Sequence, residues 1–246
     1  MIGGQRIAVV IPAHDEQERI GATLATLPDD VDDIVVVDDG SADRTGAIVR
    51  ASRDARVRLL VHARNRGVGA AIATGYRAAF ERGADVAVVM GADGQMDPGE
   101  LVRLASPVVR GEADYAKGDR LAHREIGAMP LSRRAGNLLF SALTRAVTGL
   151  AISDSQCGYT ALSRRAAARL DLDALWPGYG YPNDLLARAA EAGLRVVDVP
   201  VRPIYRGEES GIGLWEGLVV IPGVILRAGA RRHLRTRDDA AAQPAE

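Results

Sequence analysis

The chain of 246 residues has a single cysteine, almost no net charge and no long apolar run. The lone Cys157 excludes an internal disulfide framework and is typical of a protein in a reducing compartment. Thirty-one basic residues against 32 acidic ones give a formal net charge of -1. This balance argues against a nucleic-acid binder that relies on bulk charge, so local arginines must meet any anionic ligand.

No segment predicts a signal peptide or a membrane span. The amino-terminal residues run directly into a short apolar strand and lack the apolar core of a signal peptide. The most apolar late segment, 217–226, contains a proline and is far shorter than the roughly 20 residues of a spanning helix. The four histidines lack the spacing of zinc ligands. We therefore expect a cytoplasmic protein without a zinc site.

The first half of the chain alternates between strand and helix patterns. This alternation predicts an α/β fold with a mostly parallel central sheet and helices on both faces. Strands are expected at 6–11, 33–37, 57–62 and 85–90, and helices at 16–27, 45–52 and 69–81. After residue 109 the pattern weakens. There we expect strands at 114–117 and 195–201, helices at 132–148 and 183–192, and a long loop at 118–130.

The sequence contains no linker and no internal repeat, so it predicts one domain over residues 1–210. Residues 211–237 form an amphipathic helical segment in this interpretation, and 238–246 have the composition of a flexible tail.

Acidic turns follow two of the expected strands. Residues 38–41 read Asp-Asp-Gly-Ser, and residues 93–95 read Asp-Gly-Gln. Ligands of open α/β sheets bind beyond the carboxyl ends of the strands, and stacked acids there require a cation or a polar ligand. The alternative is that Asp38 and Asp43 are only turn formers and helix caps.

The first strand ends in Pro-Ala-His-Asp-Glu at residues 12–16, without a glycine-rich turn. A dinucleotide-binding dehydrogenase needs glycines there so that the backbone can approach a pyrophosphate. A sugar nucleotidyltransferase also places glycine and arginine in this turn. The sequence therefore lacks the main feature that each of these two classes of protein requires.

With the motifs at 12–16, 38–41 and 93–95 in this order, the chain resembles the family 2 inverting glycosyltransferases of GT-A fold. Within that family it is most similar to the dolichol-phosphate mannose synthase and polyprenyl-phosphate glycosyltransferase branch. The resemblance covers about residues 6–210 and includes the stretches 154–158 and 183–186.

The resemblance implies a binding site for a nucleoside diphosphate sugar. Its base and ribose would contact Pro12, His14, Glu16, Asp38 and Asp39, with Arg64 and Asn65 closing over the base. Two alternatives remain open. Glu16 is also explained as a solvated acid in a first helical turn, and Arg64 and Asn65 as ordinary surface residues.

The resemblance also implies Mg²⁺ or Mn²⁺ at Asp93, with Gln95 as a second oxygen ligand, since hard cations prefer oxygen and neutralise a diphosphate leaving group. The family commonly has a second acid where this chain has Gly91, so we expect weaker metal binding. Asp97 is interpreted mainly as a helix cap.

Phosphate contacts are implied for two sets of residues. Arg120, Arg133, Arg134, Gln156 and Ser210 would bind the acceptor or its phosphate, and Arg206 would bind the donor diphosphate. The alternative for Arg133 and Arg134 is that they only decorate the start of a helix.

Asp184 matches the family's catalytic base for hydroxyl acceptors. A phosphate acceptor needs no strong base, and Asp184 would then orient the acceptor or a loop; a helix cap is a third interpretation. The basic helical segment at the carboxyl end is suited to the anionic inner face of a membrane, although a plain packing helix explains it equally well.

These features predict a metal-dependent transferase with a lipid phosphate or saccharide as acceptor. The alternatives are a soluble transferase with a small hydroxyl acceptor and a non-catalytic sugar-nucleotide-binding protein.

Overall fold

The computed structural model of the chain describes residues 1–205, 213 and 215–241, with side chains described through residue 231. Its strands are β1 Ile7–Ala13, β2 Asp33–Asp38, β3 Val57–Val61, β4 Val86–Val89, β5 Tyr115–Asp119, β6 Thr160–Ser163 and β7 Val196–Pro200. Its helices are α1 Ile20–Ala25, α2 Thr45–Arg50, α3 Val68–Glu81, α4 Leu101–Val109, α5 Leu131–Thr148, α6 Arg164–Ala167, α7 Tyr181–Glu191 and α8 Ile221–Ala241.

The described strands form one sheet in the order β3-β2-β1-β4-β6-β5-β7. All pairings are parallel except those of β6, which is antiparallel to both β4 and β5. The predicted mostly parallel α/β sheet is therefore confirmed. The chain adds strands on one side of β1 and then crosses to β4 on the other side, and ligands bind at such a switch point, beyond the carboxyl ends of the strands.

Both faces of the sheet are covered, which is why the central strands are almost continuously apolar. Ile7, Val9 and Ile11 of β1 pack into a core with α1, α2 and α4. The alternate residues Ala8 and Val10 pack into a second core with α3 and α7. Outside α7, helices α5 and α8 form a further layer.

The first helix begins later than its apolar periodicity predicts. It starts at Ile20, because the turn before it is held by the turn after β2. The backbone N–H of Glu16 donates to Thr45 Oγ1 over 2.8 Å, and that of Gln17 donates to Asp43 Oδ2 over 3.0 Å. Asp43 also accepts from the N–H of Thr45, the first residue of α2, while Arg44 occupies the N-cap position.

The short strand β6 is absent from the sequence interpretation. Four residues are too few to show a periodicity that separates a strand from a loop. Near the carboxyl end, a π-helical turn at Glu216–Val220 leads into α8. This helix continues to Ala241, past the expected boundary at residue 237. Among the residues described, no helix is both long and apolar enough to span a membrane.

Candidate active site

The carboxyl ends of β1, β2 and β4, which we call the donor edge, bring the predicted nucleotide residues together. Asp38 and Asp39 stand at the end of β2, beside Ala13 at the end of β1. Gly40 has a φ of +70°, and a Cβ there would collide with the backbone of Arg64 and Asn65. A glycine is therefore required for the turn after β2 to lie against the loop that was expected to close over the base.

Asp39 is buried and its carboxylate organises that loop. Its Oδ1 accepts from the N–H of Arg66 at 3.0 Å and lies 2.5 Å from Nδ1 of His62. Its Oδ2 accepts from the N–H of Gly67 at 2.7 Å. Asp38 accepts instead from the N–H of Ser41 at 2.9 Å. A nucleotide at this edge would meet an aspartate that the protein already holds in place.

His62 was not predicted as a site residue. Its Nε2 lies 3.1 Å from Thr74 Oγ1, so the imidazole bridges Asp39 to helix α3. No local motif marks this role, because the three residues are distant in the sequence. A histidine directly after an apolar strand was the available signal.

Glu16 faces the same space as Asp93. Its side chain is half-buried; burial, and then the negative charges of Asp93 and Asp43, raise the pKa of Glu16 despite the opposing hydrogen bond from Arg19. Acids from the ends of β1 and β4 therefore share one environment, which a cation would stabilise. Pro12 is partly exposed beside it, and His14 is exposed, with Nε2 3.5 Å from Asp15.

The turn after β4 presents Asp93 at the switch point. Asp93 Oδ1 accepts from the backbone N–H of Gln95 at 3.0 Å, which holds the turn that carries both proposed metal ligands. Asp97 Oδ1 accepts from the N–H of Gly99 at 2.9 Å, so Asp97 is the cap that the sequence indicated. Within the described part of the chain, no group of three or more His, Cys, Asp or Glu side chains forms a complete metal site.

Gly91→Asp is expected to tighten Mn²⁺ binding roughly tenfold or more. A Cβ at position 91 would lie 3.0 Å from Asp93 Oδ1, and Gly91 has no positive φ, so a second carboxylate can stand beside the first once Asp93 shifts by a few tenths of an ångström. Affinity for hard cations rises with the number of charged oxygen ligands. Repulsion between the acids should also lower the Tm of the metal-free variant, and Mn²⁺ should restore it.

Calorimetric titration of Mn²⁺ into the wild type, Gly91→Asp and the neutral control Gly91→Asn measures this effect. Unchanged or weaker affinity in Gly91→Asp would show that position 91 faces away from the metal.

A pocket beside the donor edge contains Gln95 and Arg120. Its lining also includes Gly158, Arg202 and Tyr205. Arg120 is not a free cation in this pocket. Its Nε lies 2.7 Å from Asp154, its Nη2 donates to the same carboxylate, and its Nη1 donates to Tyr205 Oη at 3.3 Å. Arg120, which the sequence predicts to bind phosphate, is thus also part of a buried ion pair, because Asp154 has no exposed surface.

Lys117 is a second buried cation near this ion pair and was not predicted as a site residue. It is fully buried, and its Nζ donates to the carbonyl of Cys157. Burial lowers the pKa of Lys117, while the nearby charges of Cys157 and Asp154 oppose that change. Burial raises the pKa of Asp154, but Arg120 outweighs this effect and holds the pKa below its ordinary value. The loop 154–158 is therefore fixed by buried charges.

The other residues that were predicted to contact phosphate lie in different parts of the structure. The guanidinium of Arg133 lies over the ring of Tyr205, 5.0 Å from its centroid, which brings it to the pocket. Arg134 is exposed on the first turn of α5. The amide of Gln156 donates to Ser155 Oγ at 2.9 Å and to Asn183 Oδ1 at 3.1 Å, tying the loop to α7. Arg206 and Ser210 lie outside the described residues.

Asp184 lies in the first turn of α7 and is 3 % exposed. Its Oδ2 accepts from the N–H of Trp176 at 3.0 Å and from Arg188 Nε at 2.8 Å, and its Oδ1 accepts from Arg231 Nη1 at 2.8 Å. Burial acts to raise the pKa of Asp184, yet the two arginines lower it below its ordinary value. A general base works best with a pKa near the working pH, so this arrangement favours the loop-orienting interpretation.

Comparisons with known proteins identify the family and the fold of this chain. The architecture defines a class: α/β proteins with a ligand site at the switch point of the sheet. The family described as "Glycosyl transferase family 2" matches residues 8–171. The chain belongs to glycosyl transferase family 2.

The undecaprenyl-phosphate mannosyltransferase of Micrococcus luteus is 36 % identical over 226 residues, covering 89 % of this chain and 91 % of the relative. The UDP-N-acetylglucosamine–dolichyl-phosphate N-acetylglucosaminyltransferase of Methanococcus voltae is 32 % identical over 215 residues, covering 81 % and 86 %.

Among solved structures, the glucosyl-3-phosphoglycerate synthase of Mycobacterium tuberculosis, in complex with Mn²⁺, UDP and glucosyl-3-phosphoglycerate, superposes with a TM-score of 0.71 at 21 % identity. The match covers 92 % of this chain and 81 % of the synthase. This similarity confirms the expected GT-A fold.

Proposed function

We propose that this chain transfers a sugar, with inversion at the anomeric carbon, from a nucleoside diphosphate sugar to a lipid phosphate. The two relatives named above act on undecaprenyl phosphate and dolichyl phosphate, and each aligns over more than four fifths of this chain. The observation that carries the choice of acceptor is the state of Asp184. Its carboxylate is occupied by two arginines and a backbone N–H, so it is poorly placed to deprotonate a hydroxyl.

The donor would bind at the donor edge. Pro12, His14 and Glu16 line one side of it, and the turn at Asp39 with the loop at Arg64 and Asn65 forms the other. The backbone of this second side is held by the contacts of Asp39. A preformed site of this kind lowers the entropy cost of ordering the protein around a nucleotide.

The residues at the end of β4 fit a divalent cation. Asp93 offers a carboxylate and Gln95 an amide oxygen, and Mg²⁺ or Mn²⁺ commonly takes one or two protein carboxylates, with substrate phosphates and water as its other ligands. Burial raises the pKa of Glu16, and the nearby negative charge of Asp93 adds to this effect, so a cation would stabilise the charged form of both acids. The related synthase was solved with Mn²⁺ and, separately, with Mg²⁺, each with UDP. When bound, such a cation would neutralise charge on the leaving diphosphate.

The reaction in this proposal is a single in-line displacement. An oxygen of the acceptor phosphate attacks the anomeric carbon as the bond to the nucleoside diphosphate breaks. A phosphate monoester is already ionised, so the protein needs to orient it rather than remove a proton. Arg202 and Tyr205 line the pocket that contains Gln95, and Arg133 lies over the ring of Tyr205. A guanidinium suits phosphate oxygens. Arg120 would contribute positive charge while it keeps Tyr205 in place.

Helices α5 and α8 offer a surface for a lipid acceptor. They pack against each other, with Gly229 of α8 against Val147 of α5. Together with the turn before α8 they expose large apolar side chains, which we call the apolar face: Leu131, Leu138, Leu139, Leu143, Trp215, Leu218, Val219 and Leu226. Exposed apolar side chains near arginines favour contact with an anionic membrane surface. Peripheral contact with the cytoplasmic leaflet is therefore part of the proposal.

A paired acceptor assay tests the proposal. The purified protein is incubated with Mn²⁺ and each of GDP-mannose, UDP-glucose and UDP-N-acetylglucosamine, with either a polyprenyl phosphate or the matching polyprenol. We expect a glycolipid from at least one donor with the phosphate and none with the alcohol.

Transfer to the alcohol or to a small hydroxyl acceptor would favour the soluble-transferase alternative. Nucleotide binding by thermal shift without any turnover would favour a non-catalytic binding protein.

A further inference from the structure

The carboxyl-terminal helix is joined to the catalytic body by a buried ion pair. Arg231 of α8 donates from Nη1 to Asp184 at 2.8 Å and from Nε to Glu191 Oε1 at 3.2 Å. Both acids lie on α7, two turns apart, so a single guanidinium clamps α8 along that helix. Asp184 and Glu191 expose only a few per cent of their side chains, which makes this clamp a buried contact.

The same Asp184 holds the loop 172–180 on its other oxygen. Oδ2 accepts from the N–H of Trp176. Arg188, which also binds Oδ2, donates to the carbonyl of Ala174 in this loop. Helix α8 touches the loop directly as well, because a Cβ at Gly180 would lie 2.8 Å from Val224 Cγ2. The position of the loop thus depends on how α8 is seated.

The loop in turn contacts the start of α3, next to the donor edge. The carbonyl of Pro177 accepts from the N–H of Gly69 at 2.7 Å, at the start of α3. Side chains at Gly67 and Gly69 would collide with the backbone of the loop. Gly67 also donates to Asp39. Hydrogen bonds and close backbone packing therefore run from α8, through Asp184 and the loop, to the turn that faces the nucleotide.

We propose that Asp184 is a positioning residue that links the seating of α8 to the geometry of the nucleotide site, through the loop 172–180 and the turn at Asp39. This inference rests on the proposed function for the identity of the ligand at the donor edge. It assigns to Asp184 a purpose other than proton transfer. Helix α8 also carries part of the apolar face, so contact with lipid would stabilise α8 in its packed position against α7. By linkage, the same contact would strengthen donor binding.

The test substitutes Arg231, which forms both ion pairs of the clamp, and leaves Asp184 unchanged. Arg231→Met keeps much of the side-chain volume but removes both ion pairs. Arg227→Met is the matched control: Arg227 lies one turn earlier on α8 and is exposed, and no ion pair is seen for it within the described residues. Amide hydrogen exchange at Trp176, Gly69 and Gly67 reports on three successive points of the connection, and it needs no nucleotide.

We expect Arg231→Met to speed exchange at all three amides by roughly 3- to 30-fold, the range typical of residues that couple two sites. Arg227→Met should leave these rates unchanged. Calorimetry with GDP and UDP, each with Mn²⁺, should show weaker binding in Arg231→Met by a similar factor. Arg231→Lys should recover part of both effects.

The outcomes separate this inference from the proposed function. Faster exchange at Trp176 with wild-type rates at Gly67 and Gly69 would mean that Asp184 is merely structural, and would overturn the inference. The same holds if donor affinity and all three rates match the control. A third outcome is that no nucleotide binds the wild type, while Arg231→Met still speeds exchange at the three amides. This result would overturn the proposed function, but the structural connection from α8 to the turn at Asp39 would remain supported.

A double-mutant cycle distinguishes positioning from catalysis. If Asp184 acts through the clamp, Asp184→Asn and Arg231→Met should change mainly donor KM, and their effects should not add. A base role predicts instead a loss of about 100-fold or more in kcat for Asp184→Asn, with kcat unchanged in Arg231→Met.

Discussion

Replacing Asp93 by alanine is expected to remove the Mn²⁺-dependent part of nucleotide binding. Asp93 supplies a carboxylate in the turn after β4, where its Oδ1 accepts from the backbone N–H of Gln95. Loss even of an outer partner of a metal ligand typically lowers metal affinity 10- to 100-fold, so loss of the ligand itself should cost at least roughly 100-fold. Calorimetric titration of GDP and UDP, with Mn²⁺ and with EDTA, measures the effect.

Asp97→Ala is the matched control. It lies four residues further on and caps the turn Pro98–Glu100 through the N–H of Gly99. Its loss should reduce stability by about 1 kcal/mol, as for other caps, and leave the metal dependence intact. Equal donor affinity in the wild type and Asp93→Ala, with Mn²⁺ present, would refute the metal assignment.

The donor edge could be predicted because its signals are local. Acids directly after apolar runs, and glycines such as Gly40 and Gly94 with positive φ, mark where the chain turns away from the sheet. Parallel strands then bring those turns to one edge. Asp39 and Asp93 were placed there from the sequence, and the structure has them at the ends of β2 and β4.

The partners of the buried charges could not be predicted, because they are distant in the sequence. Asp154 is 34 residues from Arg120, and Asp184 is 47 residues from Arg231. An acid at a helix start has the same local pattern whether it caps the helix, serves as a base or binds a remote arginine. Only the folded arrangement separates these roles.

The acids of the candidate site differ in their pKa values and in their charged partners. At the donor edge, half-buried Glu16 has a raised pKa, which a bound cation would relieve. Beside the pocket that contains Arg120, Asp154 is paired with that arginine and has a lowered pKa. On α7, Asp184 is likewise paired with arginines and has a lowered pKa. In the proposed function, a cation would therefore act on the pKa of Glu16, whereas Asp154 and Asp184 already have positively charged partners.

The double substitution Leu139→Gln with Leu226→Gln is expected to release the protein from anionic vesicles. The two leucines are 58 % and 70 % exposed on α5 and α8, so the native fold gains little from them. Burying a leucine in an apolar environment is worth about 1.5–3 kcal/mol. Losing both should reduce partition into vesicles by roughly 100-fold or more, since each 1.4 kcal/mol is a factor of ten. Stability should change little, as for most surface substitutions.

Sedimentation with sucrose-loaded vesicles of phosphatidylcholine and phosphatidylglycerol measures the partition, and thermal unfolding checks the fold. Val61→Gln is the matched control, because Val61 is also about half exposed but lies on the edge strand β3, outside the apolar face. It should bind vesicles like the wild type. If the wild type does not sediment with the vesicles, or if the double variant sediments equally well, α5 and α8 do not dock on lipid, and the lipid-phosphate acceptor loses this support.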